Sequence, residues 1–98
     1  SNLIKNRDKE ILKGKISSYN SNTYKGRIFL EKEGRAIPFE LADEARRESY
    51  IALITESLDL NARRSSRGTS LGMIGFVAYR VESKTGRLKS FIVSEVFK

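Results

Sequence analysis

Residues 24–41 read YKGRIFLEKEGRAIPFEL, and the alternation in this stretch decides the fold class. Side chains of a strand point to opposite faces in turn. From Tyr24 to Lys32 that period puts Ile28 and Leu30 on one face and Lys25, Arg27 and Phe29 on the other. Glu33-Gly34 supplies a turn, and Arg35 to Leu41 alternates again with Ile37, Phe39 and Leu41 inward. Pro38 has no N–H for a ladder, so this strand is expected at an edge or around a bulge. Two adjacent half-buried strands with one polar face describe an antiparallel sheet covering a core.

On the N-terminal side, Ile11 to Asn20 (ILKGKISSYN) is a further strand broken by Gly14 and closed by the turn-forming cluster Asn20-Ser21-Asn22. The opening Ser1-Asn2-Leu3 has the look of a tag remnant, and Lys5 to Glu10 (KNRDKE) that of a linker. Residues 1–10 are therefore set aside, and residues 11–98 are read as one domain excised from a longer protein. On the C-terminal side the period changes. Asp43 is a candidate N-cap, and Tyr50, Ile51, Ile54 and Leu58 recur at helical spacing, with no Gly or Pro from 43 to 60. The run YIALIT at 50–55 is also rich in strand formers; helix is the preferred reading and strand the alternative. A polar loop, 61–70 (NARRSSRGTS), leads to a strand at 71–82, a turn at 83–86 and a last strand from Arg87 to Lys98. The order β-β-β-α-β-β predicts a mainly β fold, a five-stranded oligonucleotide/oligosaccharide-binding (OB-like) barrel. An SH3-like barrel with an inserted helix is the alternative.

Composition bounds the function. The 98 residues carry 19 Lys and Arg against 12 Asp and Glu, a formal charge of +7, with 39% hydrophobic and 32% charged residues. A compact basic surface attracts polyanions, nucleic acid first among them. Without Cys there is neither disulfide nor zinc-thiolate site, and without His the usual general base and commonest metal ligand are missing. No apolar run reaches the roughly 20 residues of a membrane span. The expectation is a cytoplasmic protein with no membrane contact.

The residues Gly14-Lys15-Ile16, Tyr19-Asn20, and Gly26 before Ile28 resemble the first two strands of the bacterial cold-shock domain, itself a barrel of this kind. The run Ile74 to Val81, the turn at Gly86 and the closing Val93 to Val96 resemble its last two strands. The resemblance implies single-strand binding by bases stacked on outward aromatic rings. At the corresponding places this chain has Ser18, Lys25, Arg27, Pro38 and Glu40, with no ring among them, and its segment 42–70 is longer than the family's loop. A stacked base contributes about 1–3 kcal/mol, so the resemblance supports the barrel more than the family's activity.

Charge is segregated. Between Asn61 and Lys89 the basic residues Arg63, Arg64, Arg67, Arg80, Lys84, Arg87 and Lys89 face a single acid, Glu82, whereas most acids lie between Glu31 and Asp59. Arg63, Arg64 and Arg67, on a Ser/Gly loop, suit flexible phosphate contacts. On the second strand Lys25 and Arg27 track a backbone beside Phe29, a stacking surface. Tyr24, Tyr79 and Phe91 are rings that serve either core or ligand, and Tyr19 is read as core. Lys84-Thr85-Gly86 is a turn, since no Ser-x-x-Lys accompanies it, and Gly14-Lys15 lacks the glycine-rich loop of a phosphate cradle. Glu31 and Glu33 are solvated charges at a strand end. The sequence thus predicts no catalytic residue, no metal and no cofactor. It predicts phosphate-led binding of RNA or single-stranded DNA through Lys25, Arg27, Phe29, Arg63, Arg64, Arg67, Arg80, Arg87 and Lys89. The alternative is a protein-interaction or structural barrel that takes a partner strand at the edge beside Pro38.

Overall fold

A computed structural model describes residues 2–98. Five strands, β1 (Leu3–Asn20), β2 (Lys25–Leu30), β3 (Arg35–Leu41), β4 (Met73–Ser83) and β5 (Leu88–Phe97), close in the order β1-β2-β3-β5-β4. One α-helix, α1 (Glu48–Asn61), lies between β3 and β4. All neighbours pair antiparallel except β3 and β5, which run parallel through Phe39↔Phe91 to Leu41↔Val93. This is an OB-like barrel, with the element order read from the sequence. No described helix is long and apolar enough to cross a membrane.

The inward faces of β2 and β3 are those the alternation requires: Ile28, Leu30, Ile37, Phe39 and Leu41 are buried with Ile16, Phe76, Phe91 and Val93. Pro38 causes no bulge, because β2 and β3 stay in continuous register through Arg27↔Pro38. Pairing of β3 with β5 begins only at Phe39, so the missing N–H falls just outside that ladder. Two glycines let the walls approach. A Cβ on Gly14 would lie 2.6 Å from the Phe29 carbonyl oxygen, and one on Gly26 would lie 2.2 Å from that of Ser18. Both distances are well inside contact, so only glycine fits.

β1 belongs to two ladders. Up to Lys15 it pairs with β4, ending at Lys15↔Met73, and from Lys15 onward it pairs with β2, with a register shift between Ile16 and Ser18. At this corner the Ile16 backbone has no β4 partner, and α1 takes β4's place. The Ile16 N–H donates to Ser57 Oγ (3.0 Å), Ser57 Oγ–H donates to the Gly72 carbonyl (2.6 Å), and Asn61 Nδ2–H donates to the Ile16 carbonyl (3.0 Å). Ser57 and Asn61, four apart, share one helix face. Residues 50–61 are thereby helix, with Ile54 buried and Tyr50, Ile51 and Leu58 packed against the core. Asp43 caps neither turn: the 3-10 turn Asp43–Ala45 is preceded by Ala42, and α1 by Arg47, without a side-chain cap.

Residues 3–10 differ from the linker expectation. They continue β1 and pair with the end of β4, from Leu3↔Ser83 to Glu10↔Ala78, with a register shift between Lys5 and Lys9.

Candidate nucleic-acid interface

On the outer face of the β1–β2 wall, pairing sets Lys15 beside Phe29 and Ser18 beside Arg27. Across β3 the partners are Ala36, Pro38 and Glu40 for Phe29, Arg27 and Lys25. The three outward residues of β2 therefore form a row of two cations and a ring, and Phe29 is 39% exposed. Glu40 opposite Lys25 is itself bound to Arg46 at 3.4 Å.

The arginine loop stands over this wall, and it is built rather than slack. Its 3-10 turn, Arg64–Ser66, buries Ser66, whose hydroxyl donates to the Arg63 carbonyl (2.8 Å). Thr69 Oγ1–H donates to the Ser66 carbonyl (2.7 Å), and Lys15 Nζ reaches up from β1 to the carbonyls of Thr69 (2.7 Å) and Ser66 (3.2 Å). Lys15 thus ties loop to wall. Between them runs a groove of about 970 Å³, with Lys15, Ser17 and Phe29 on one side, Arg67, Gly68, Thr69 and Ser70 on the other, and Glu31, Asn61 and Met73 completing the lining.

Of the residues singled out from sequence, Phe29 and Arg67 meet across this groove, and Arg27 and Lys25 continue the Phe29 row. Arg64 is exposed on the turn beside it. Arg63 is tied to Asp59 at 2.7 Å in an exposed ion pair, which is worth under about 1 kcal/mol. Arg80 does not join the set. It shares the inward parity of Phe76 and Ala78 and sits at the barrel mouth. There its guanidinium meets Glu10 (3.1 Å), Glu82 (3.6 Å) and Glu33 (3.9 Å) and lies 5.9 Å from the Phe91 ring centroid. Three carboxylates around one guanidinium leave no vacancy for phosphate. Arg87 and Lys89 are exposed on the β4–β5 hairpin, whose Ser83 pairs with Leu3. Lys25 pairs instead with Asn20, at the other end of β1, so these two cations do not converge on the groove.

The remaining rings sort cleanly. Phe91 is core, at 1% exposure. Tyr24 packs against the core under the Arg46 guanidinium (4.6 Å), and Tyr79 lies outward under Lys5 and Lys9. Tyr19 stacks on Phe39, with ring centroids 6.4 Å apart, and its hydroxyl is buried without a hydrogen-bond partner among the described residues. Burial, and then the neighbouring Tyr24, push its phenol above the usual tyrosine range, with Arg46 pulling the other way.

Lys15 is the site residue that sequence reasoning missed, although its outward parity opposite Phe29 was a signal. No curated protein and no solved structure matches the chain. Residues 8–97 match a family of unknown function, DUF7947, and the chain belongs to that family.

Proposed function

We propose that this barrel binds RNA or single-stranded DNA along the groove between the β1–β2 wall and the arginine loop, led by phosphate contacts and with little base preference. The observation that carries the reading is the meeting of Phe29 and Arg67 across one groove, in line with Arg27 and Lys25. An exposed ring offers one stacking surface, and guanidinium and ammonium groups on either side of it supply phosphate partners. Glu31 at the groove lining repels phosphate, which favours a backbone path from Arg67 past Phe29 toward Lys25.

The test is a titration of labelled poly-pyrimidine single strands, a mixed RNA and a duplex into the protein at 50 and 200 mM salt, followed by anisotropy. With Lys25, Arg27, Arg64 and Arg67 as the phosphate contacts, log affinity against log salt should fall with a slope of about −3, roughly 50-fold over that range. Phe29→Ala should cost single-strand affinity about 1–3 kcal/mol. Arg64→Glu with Arg67→Glu should flatten the slope by more than about 1. Absence of binding at low salt, or an unchanged slope in the double variant, refutes the proposal.

A further inference from the structure

The partner-strand site anticipated beside Pro38 is occupied on one side by β2 and, from Phe39, on the other by β5. The open edge lies elsewhere. Within residues 4–13, β1 pairs with β4 through Ile4–Lys5 and Lys9–Lys13, with residues 6–8 bulging out of that ladder, and β2 takes up the other side only from Lys15. Residues 4–9 are all exposed although they are strand, and Ile4 and Ile11 stand 55% and 72% exposed. We propose that this edge is a docking strand for an extended, acidic segment of a partner protein, added to the sheet beside β1.

Three observations set the chemistry. First, the edge is basic: Lys5, Arg7, Lys9 and Lys13 project from it against one exposed acid, Asp8, whereas Glu10 is drawn inward to Arg80 at 3.1 Å. The Lys5 and Lys9 ammonium groups lie 4.2 and 5.6 Å from the Tyr79 ring centroid, which holds both on the outer face. Second, the edge continues into a groove of about 570 Å³, where Leu12 and Lys13 face Leu30, Glu31 and Lys32 across the gap left when β2 ends, and where Arg80 engages the carboxylates of Glu10 and Glu33. An added strand has room to run on there. Third, a second copy of the chain is disfavoured. Two identical antiparallel strands related by a two-fold axis must set one residue opposite itself. Centring on Arg7 opposes Arg7 to Arg7 and Lys5 to Lys9; centring on Asp8 opposes Asp8 to Asp8 and Arg7 to Lys9. Like charges directly opposite are destabilising. The cations that bar self-pairing admit an acidic strand. A nucleic acid would use these cations but would not pair with the main-chain N–H and C=O groups of the edge, as a strand does; of these the Arg7 N–H already donates to Asn6 Oδ1 at 3.0 Å.

The experiment uses the whole chain and four probes: a labelled twelve-residue peptide alternating Glu with Val and Thr, its Lys-for-Glu counterpart, the acidic peptide N-methylated at alternate residues, and a polyuridine oligonucleotide. The acidic peptide should shift the backbone amides of residues 4–13 and slow their exchange, while the basic and N-methylated peptides should not. The triple variant Lys5→Glu, Lys9→Glu, Lys13→Glu should bind the acidic peptide at least about tenfold more weakly and should accept the basic one. Its oligonucleotide affinity in the Arg67 groove should stay unchanged, which separates this edge from that reading. Any of four results overturns the proposal: acidic-peptide shifts absent from residues 4–13; equal binding of the N-methylated peptide to the unmodified chain; self-association through residues 4–13; or the oligonucleotide shifting those amides in place of the peptide.

Discussion

Replacing Ser57 by Ala tests whether α1 holds the corner of the barrel. Ser57 is 1% exposed and Ile16 fully buried, and the serine hydroxyl accepts from the Ile16 N–H at 3.0 Å while donating to the Gly72 carbonyl at 2.6 Å. Removing one oxygen orphans both groups. A buried donor left without a partner costs about 1–3 kcal/mol. The Gly72 carbonyl, nearer the surface and with a second lone pair, adds about 1 kcal/mol. Alanine's better helix propensity returns under about 0.5 kcal/mol. The net loss is about 2–3 kcal/mol, which for a domain of this size lowers Tm by roughly 10–20 °C. Urea denaturation should show a lower midpoint at unchanged m-value, and the Ile16 amide should lose protection from exchange. Ser65→Ala, on the exposed arginine turn, serves as control and should stay within about 0.5 kcal/mol. If Ser57→Ala also stays within that limit, the helix does not hold the corner.

Lys15→Met should free the arginine loop: exchange at Ser66 to Thr69 quickens and oligonucleotide affinity falls, while the barrel's Tm moves little, since the two bonds it loses bind a surface loop. Gly26→Ala drives a Cβ into the Ser18 carbonyl at 2.2 Å and should cost about 3 kcal/mol in chemical denaturation. Gly34→Ala has open space around it, and its φ of +66° limits the loss to about 1–2 kcal/mol. Tyr19, whose phenol is raised chiefly by burial, keeps its proton in the folded state to higher pH than in the unfolded chain. Its contribution is therefore fully present below the ordinary tyrosine value near 10 and is lost as pH rises through the folded value. Tyr19→Phe should remove a step lying above the ordinary tyrosine range from the absorbance titration at 295 nm. At neutral pH it should be neutral or stabilising by up to about 1 kcal/mol, because the hydroxyl it deletes has no partner among the described residues.

The two-residue period made β2 and β3 legible, since each has one wet and one buried face. It failed on residues 3–10 for the same reason. A strand held from one side beyond the core exposes both faces, and KNRDKE then has no more pattern than a linker. Residues 50–55 were ambiguous because YIALIT suits either period. What resolves them is long-range: Ser57 and Asn61 must share a face to reach Ile16, a demand invisible without β1 beside them. In the candidate site, Phe29 and Arg67 were readable by type and parity, but their meeting depends on Lys15, 52 positions from Arg67 in sequence. Arg80 shows the limit of charge counting. Its sign was plain, whereas the carboxylates that occupy it come from Glu10 in β1, 70 positions away in the chain, and from Glu33 in the turn between β2 and β3.

The fate of Arg80 and Lys15 bears on how the whole charge is to be understood. A formal +7 suggests a uniformly attractive surface, yet the barrel divides its cations by task. Arg80 closes the mouth, Lys15 ties down a loop and Arg46 holds Glu40 and Asp43. Lys5 and Lys9 line an open strand edge over Tyr79, and Arg87 and Lys89 sit at the hairpin far along β1 from Lys25. If net charge alone drew the nucleic acid, all seven excess charges would enter, and the salt slope for a single strand would be about −5. If the groove draws it, only Lys25, Arg27, Arg64 and Arg67 enter and the slope is about −3. Reversing Arg87 and Lys89 then separates the cases without touching the groove. A slope that stays near −3 in that variant means geometry selects the contacts, and a slope that falls with every charge removed means the surface acts only as a diffuse cation.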